Sequence, residues 1–316
     1  MTTLFYPDLP GPLQGRYAAT IGFFDGVHRG HRYVIDRLKA LARERGLGSM
    51  VVTFERHPRQ VLHPDWQPQL LSSLQEKQAL LAQTGIDVLV VLRFDEAMAA
   101  LSARDFMQQV LGLRLNVGLL LMGYDNRFGH NRIETLADYA RYGRELGIEV
   151  VSGQPCEQGQ WRFSSSLVRR LLQEGDVAAA NECLGRAYSL SGTVVHGHEI
   201  GRTLGFPTAN LRPDDACRLL PASGVYAVRV WLPDATEPCQ GMMNIGRRPT
   251  FDGDETTLEV HIFGFQGNLY GCLVSVDFVA RLRSEQHFDS ASELALQMER
   301  DARLAKKMLN EAINDH

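Results

Sequence analysis

Two histidines three residues apart flank a glycine in the run IGFFDGVHRGH, from Ile21 to His31. A strand-like stretch precedes the run and a helix-like stretch follows it. A strand, a glycine-rich turn and a helix start together make an anion site. Unpaired backbone N–H groups and the helix dipole there both favour negative charge. His28 and His31 could both face a phosphate held at that turn and stabilise a crowded phosphorus centre. Gly22, Phe23, Asp25 and Gly30 belong to the turn and would shape the phosphate pocket. A lone histidine is more often structural, but two in a glycine-bracketed turn favour function.

A second run, GRTLGFPTANL from Gly201 to Leu211, has different chemistry. Thr208 and Asn210 are two apart, so an extended chain presents them on one side. Their oxygens suit a Mg²⁺ ion bridging the phosphates of ATP, since magnesium takes oxygen ligands and keeps waters. Gly201 and Gly205 let backbone N–H groups approach a phosphate closely. No GKS or GKT follows, so this is not a Walker A loop. By itself the run reads equally well as a Gly/Pro turn entering a strand. Glu259 sits inside the apolar strand TLEVHIF, where a carboxylate needs a reason. One reason is to act as the base for an attacking alcohol; the other is an outward position on a half-exposed strand.

Four further segments could complete these pockets. GYDNRFG, with Asn126, follows an apolar strand and is either part of a site or a surface loop. FSSSLVRR places Ser164 and Ser165 at a helix start and Arg169 within a turn or so of them. Such serines often only cap the helix, but an arginine near hydroxyls also holds pyrophosphate. NIGRRPTF reads as a loop after a strand, with Arg247 and Arg248 either near phosphate or solvated. LRSEQHF, with Arg283 and Phe288, leads into the last helix and would border an aromatic ligand.

The elements that must position these residues fall into two textures. In the first, strands at Arg16–Phe24, Ser49–Glu55, Asp87–Phe94, Val117–Gly123 and Ile148–Ser152 alternate with helices at Gly30–Arg45, Gln75–Thr84, Ser102–Leu111 and Ile133–Leu146. Alternation of this kind implies a parallel sheet covered on both faces, with ligands beyond the carboxyl ends of its strands. After about Leu184, strands follow one another between Gly, Pro, Asp and Asn, the pattern of a small antiparallel barrel. Period-two alternation is only rough across Val225, Ala227, Val228 and Val230. An amphipathic helix, Ala291–Ala312, closes the chain, with Leu294, Met298, Leu304 and Met308 on related faces. The expected domains are 1–184 and 185–316.

Composition sets the outer limits. The 316 residues suit two domains, and 44% apolar with 22% charged residues is ordinary for a globular protein. A net charge of -4 with scattered basic residues gives no general attraction to nucleic acid. Five widely spaced cysteines without a CxxC pair argue against a zinc site or disulfide framework and suit a reducing cytoplasm. The N-terminal residues lack the pattern of a signal peptide. No apolar run approaches the roughly 20 residues that span a bilayer. Nothing in the sequence assigns an oligomeric state.

Taken together, the motifs resemble known families. IGFFDGVHRGH matches the HxGH signature of the nucleotidyltransferase superfamily, and SSSLVR resembles its later Ser-Ser-Thr-x-Val-Arg signature. TFERHPRQVL and GYDNRFGHNRIETL are similar to the adenylyltransferase half of prokaryotic bifunctional riboflavin kinase/FAD synthetases. The sequence departs from those patterns at Ser166, Leu167, Asn126 and Arg56. The second half resembles riboflavin kinase, from LGRAYSLSGTVVHG through GRTLGFPTANL, NIGRRPTF and LEVHIF to LRSEQHF. The resemblance runs from about Tyr17 to Ala312 and implies a Rossmann-like nucleotidyltransferase domain followed by a riboflavin kinase barrel. It further implies that Thr208 and Asn210 bind Mg²⁺-ATP, that Glu259 is a catalytic base, and that riboflavin, FMN and ATP are the substrates.

Overall fold

The computed structural model describes all residues except 64, 124–125, 155–156, 159–160, 198–204, 251–252 and 315–316. Of residues 157–158, 161–162, 247–250, 253–255 and 312–314 it describes the backbone. Contacts divide the chain into two compact units, Met1–Ser165 and Ser166–His316.

The first unit is built on six parallel strands: β1 (Thr2–Tyr6), β2 (Tyr17–Ile21), β3 (Gly48–Phe54), β4 (Val88–Leu92), β5 (Val117–Met122) and β6 (Glu149–Ser152). Their order is β1-β4-β3-β2-β5-β6. The inner strands are mostly apolar because both of their faces are covered, with Thr20, Ser49 and Thr53 as buried polar exceptions. Along β4, Val88, Val90 and Leu92 enter one core while Leu89 and Val91 enter the other. The second core receives Ile35, Leu38, Leu41 and Ala42 of α1 (Arg29–Arg45) and Leu81 of α3 (Leu74–Ala82). Between them in sequence lies the short α2 (Pro58–Leu62). The first core takes α4 (Glu96–Ala99) and α5 (Ala103–Asp105), which widens into a π-helical stretch at Phe106–Arg114. It also takes Tyr139 of α6 (Leu136–Leu146).

Strand order reverses between β2 and β5. The carboxyl ends of those strands flank the crevice where open α/β sheets bind ligands. The His28 turn follows β2 and the Asn126 loop follows β5. A two-stranded ribbon, β7 (Glu157–Gln158) and β8 (Trp161–Arg162), precedes the serine run.

The second unit begins with α7 (Ser165–Glu174), whose first residue is assigned to the first unit, and α8 (Val177–Leu184). Six antiparallel strands then close into a barrel: β9 (Tyr188–Val195), β10 (Ala209–Pro213), β11 (Gly224–Trp231), β12 (Cys239–Thr250), β13 (Gly253–Ile262) and β14 (Leu273–Arg283). Closure leaves no unpaired edge. The Asn181 amide of α8 ties two barrel strands, donating to Phe278 O at 2.7 Å and accepting from Tyr188 N at 2.6 Å. The last helix, α9 (Ala291–Asn314), packs Ala305 and Leu309 against Ala227 and Met242.

Several differences from the sequence expectations have local causes. Register shifts at Val225/Tyr226 and Ala227/Val228 break the alternation of β11. NIGRRPTF, expected as a loop, continues β12 into a long hairpin with β13, its backbone paired from Asn244–Glu259 to Thr250–Gly253. On α9, Leu304 is exposed and the buried stripe runs through Asp301, Ala305 and Leu309.

Candidate active sites

The turn after β2 is held in a conformation that few side chains tolerate. Phe24 has φ 53, Gly26 φ 74 and Val27 φ 39. A β-branched residue at positive φ is a genuine outlier and costs about 1–3 kcal/mol unless its surroundings enforce it. Here the surroundings do. The buried Asp25 carboxylate accepts from Leu71 N at 2.9 Å and Ser72 N at 3.1 Å. Gly26 N donates to Ser72 Oγ at 3.1 Å, and Ser165 Oγ donates to Asp25 O at 3.0 Å. Phe23 O accepts from Thr53 Oγ1 at 3.0 Å and from Lys77 Nζ at 3.2 Å.

His28 is the N-cap of α1, and its Nδ1 accepts from His31 N at 3.3 Å. That bond assigns the proton of the neutral ring to Nε2. The His28 and His31 rings stack at 3.6 Å between centroids, and Phe24 meets His31 edge-on at 5.0 Å. Gly30 makes this arrangement possible. A Cβ there would lie 3.0 Å from Phe163 O and 3.1 Å from the His28 ring. The Asn126 amide donates to Ile21 O, pinning the loop after β5 to the end of β2. Gly22 N donates to Val52 O at 3.0 Å. Ser164 is half-buried beside the buried Phe163. Arg169 lies one helical turn beyond Ser165 on α7 and groups with the second unit.

In the barrel, pairing register brings the candidates together. Asn210 of β10 lies opposite Glu259 of β13, and Glu259 lies opposite Asn244 of β12. The same row continues through Val225 of β11 to Arg283 of β14. A cavity of about 520 Å³ is lined by Thr208, Asn244, Thr257, Glu259, Arg283 and Phe288, among others. A second cavity of about 550 Å³ is lined by Pro207, Thr208, Phe265, Asn268 and Tyr270, among others. Thr208 borders both. Its position is fixed through Pro207, whose carbonyl meets His261 Nδ1 at 2.8 Å. Gly205 has φ 83, a left-handed conformation suited to glycine, and Gly201 lies outside the described residues.

Matches to known proteins follow this division. The FAD synthetase family profile covers residues 12–167 and the riboflavin kinase profile residues 184–309. The bifunctional riboflavin kinase/FMN adenylyltransferase of Escherichia coli (strain K12) is 41% identical over 288 residues, 91% of each chain. That of Bacillus subtilis (strain 168) is 37% identical over 295 residues, again 91% of each. The chain belongs to the bifunctional riboflavin kinase/FMN adenylyltransferase family.

The crystal structure of a macrolide-efflux protein from Streptococcus pneumoniae has the same fold, with TM-score 0.88 and 30% identity over 97% of this chain and 99% of that one. Among the described residues no helix is long and apolar enough to cross a membrane. In the riboflavin kinase/FMN adenylyltransferase frame, the histidine turn lies in the FAD synthetase domain. Thr208, Asn210 and Glu259 lie in the riboflavin kinase domain.

Some site residues are not singled out by motif reasoning. Asn244 is the one polar residue in GMMNIG, a signal of the same kind as Glu259 in its strand. Thr257 Oγ1, Asn244 Nδ2 and Glu285 Oε1 converge within 3.2 Å of where a Gly246 Cβ would stand. Asp301 of α9 takes the Arg283 guanidinium, with Nε at 2.9 Å and Nη2 at 2.8 Å from Oδ2. Arg283 also lies over the Phe288 ring at 5.6 Å. The two residues expected to border an aromatic ligand therefore touch each other at the cavity.

Proposed function

We propose that the barrel transfers the γ-phosphoryl group of ATP to the terminal ribityl hydroxyl of riboflavin, giving FMN and ADP. The parallel-sheet module then transfers AMP from a second ATP to FMN, giving FAD and pyrophosphate. The functional modules are 1–184 and 185–316, working in a reducing cytoplasm. The observation that carries this reading is the row Asn210–Glu259–Asn244 beside Thr208, the residue common to two cavities.

Two cavities meeting at one residue suit a donor and an acceptor that must meet in line. The cavity lined by Glu259, Arg283 and Phe288 takes the flavin. The cavity lined by Phe265 and Tyr270 takes the nucleotide. Glu259 accepts the proton of the ribityl hydroxyl as its oxygen attacks the γ-phosphorus, and ADP leaves. Asn244 and Thr257 orient that hydroxyl chain.

The donor set fits magnesium. Thr208 and Asn210 offer neutral hard oxygens, and the nucleotide phosphates supply the negative charge. Among the described residues no cluster of three His, Cys, Asp or Glu side chains competes as a metal site. A Mg²⁺ ion held by Thr208 and Asn210 would neutralise negative charge on the nucleotide phosphates.

At the histidine turn the nucleophile is the phosphate of FMN, which is already ionised near neutral pH and needs no strong base. Positioning and charge stabilisation suffice. His28 Nε2–H and His31 act at the α-phosphate. Ser164, Ser165 and Arg169 hold the leaving pyrophosphate, and the turn from Gly22 to Asp25 and the Asn126 loop shape the nucleotide pocket, with the Gly22 N–H held by Val52 O.

The deciding experiment separates the two steps. Glu259→Gln keeps the side chain's shape and removes the base. Formation of FMN from riboflavin, followed by chromatography, should fall roughly 10²- to 10⁴-fold, while FAD formation from supplied FMN persists. Equal loss of both activities in a folded protein would refute the two-site assignment.

A further inference from the structure

Lys77 is 3% exposed, and lysine is almost never that buried unless paired. It also sits in the first turn of α3, where the helix dipole disfavours a cation. Two unfavourable placements in one residue call for a compensating role. Its ammonium donates to Phe54 O, the last residue of β3, at 2.9 Å, and to Phe23 O, in the phosphate turn, at 3.2 Å. It also lies 4.2 Å from the Phe23 ring centroid. The same helix start holds the rest of the turn, through Ser72 on Gly26 and through Asp25 on Leu71 and Ser72.

In a trans peptide the C=O and the following N–H point in opposite directions. The carbonyl of Phe23 is drawn inward by Lys77 and Thr53. The N–H of Phe24 therefore faces the other way, away from Lys77 and Thr53.

We propose that Lys77 is a positioning residue for adenylyl transfer: it fixes the Phe23–Phe24 peptide and sets a positive charge directly beneath the turn that receives the ATP phosphates. This rests on the reading of the turn as the ATP site. Lys77 does not touch the nucleotide; it acts through the turn and through its field, which burial keeps unscreened.

The ammonium has a property that makes the role measurable. Burial lowers its pKa to about 8, and the nearby Asp25 charge opposes that shift. Among the neighbours of the groups it touches, His57 meets Phe23 edge-on, and Glu76, next to Lys77 on its own helix, accepts from Ser73 N. The charge is present below that pKa and lost as pH rises through it. The kcat/KM for ATP reports the free enzyme. It should bend downward near pH 8 for FAD formation, with no such bend for FMN formation in the same chain. Bound ATP favours the charged form, so the bend in kcat should lie at higher pH.

The test compares wild type, Lys77→Arg and Lys77→Met in both reactions across pH. Lys77→Arg keeps the charge at every pH used and should abolish the bend. Lys77→Met should lower kcat/KM for ATP in FAD formation by roughly 10- to 100-fold, as expected for loss of a charged donor, and spare FMN formation. A bend that persists unchanged in Lys77→Arg overturns the proposal. So does full FAD formation by a folded Lys77→Met. If Lys77→Met fails to fold, the profiles of wild type and Lys77→Arg decide. The double variant His28→Ala/His31→Ala tests the underlying reading separately. If it loses FAD formation while Lys77→Met does not, only the Lys77 role fails; if neither does, the site reading fails.

Discussion

Removing the Asp301 carboxylate offers a quantitative test of how the flavin cavity is built. Asp301 accepts from Arg283 Nε with both oxygens, at 3.2 and 2.9 Å, and from Gln297 Nε2 at 2.8 Å. The side chains of the Arg283–Asp301 pair are 16% and 5% exposed, so solvent screens the pair little. Breaking such a buried pair from one side typically costs about 3–5 kcal/mol, because the remaining charge loses its partner. Arg283 would still reach Ser284 O at 3.1 Å and the Phe288 ring, which favours the low end of that range. In a unit of this size, about 3 kcal/mol corresponds to a drop of roughly 6–12 °C in the melting temperature. Calorimetry of Asp301→Ala should show that shift. Chromatographic assays below the transition should show a raised KM for riboflavin and normal conversion of FMN to FAD. The double variant Arg283→Met/Asp301→Leu should recover most of the stability, since an apolar pair often replaces a buried ion pair without loss. It should not recover the KM, because Arg283 faces the cavity. A melting shift of under about 2 °C for Asp301→Ala, with unchanged KM, would mean that the pair is worth no more than a surface bridge. The account of the cavity wall would then be wrong.

Three other outcomes follow from named contacts. Gly30→Ala should push the His28 ring out of its stack, since the new Cβ would lie 3.1 Å from it and 3.0 Å from Phe163 O, which cannot move freely. FAD formation should fall about 10²-fold, in line with displacement of a catalytic group by an ångström, with FMN formation unchanged. Asn210→Ala should raise the Mg²⁺ concentration needed for half-maximal FMN formation and leave that of FAD formation unchanged; equal requirements before and after would remove Asn210 from the metal site. The Asp87 carboxyl is held below the usual carboxylate range by hydrogen bonds from Ser49 Oγ at 2.7 Å and Ser49 N at 2.8 Å. A depressed folded pKa adds stability above the ordinary carboxylate pKa of about 3.9, and that stability is lost as pH falls through the folded value. Ser49→Ala should lower the urea midpoint at neutral pH and flatten its acid dependence, and an unchanged acid limb would contradict this.

The long apolar strands and the helix stripes were legible because period and burial coincide in them. Both faces of the inner sheet are covered, so β4 and β5 read as unbroken apolar runs. The edge strand β1 has exposed and half-buried residues in irregular order and gives no such signal. Bulges hid the alternation of β11. The histidine turn and Glu259 stood out because glycine spacing and a carboxylate in an apolar strand are local features. The row through Asn210, Glu259 and Asn244 depends on register across three strands, which linear spacing does not encode. Two residues carried a signal of their own. Lys77 lies between Leu74 and Leu81 on the buried stripe of α3, and Asp301 lies between Met298 and Ala305 on that of α9. A charged residue at a core position of a helix is the helical counterpart of Glu259 in its strand, and the same reasoning applies to it.

The two sites differ in their carboxylates for a reason set by the nucleophiles. An alcohol must lose a proton as it attacks phosphorus, so its site needs a base, and Glu259 is set between two amides at the cavity that would receive the alcohol. A phosphate arrives without that proton. A carboxylate facing it would only repel it and the triphosphate beside it. The carboxylate of the histidine turn, Asp25, fits this demand. It is buried and accepts hydrogen bonds from the backbone of Leu71 and Ser72, so its charge serves the shape of the turn. The buried ammonium of Lys77 lies close enough to feel that charge and is bonded to the same turn. An anion spent on backbone and a cation placed beneath it leave the surface of the turn to N–H donors and imidazoles. That combination suits attack by one phosphate on another, as the oxygen-rich row with its single carboxylate suits attack by an alcohol.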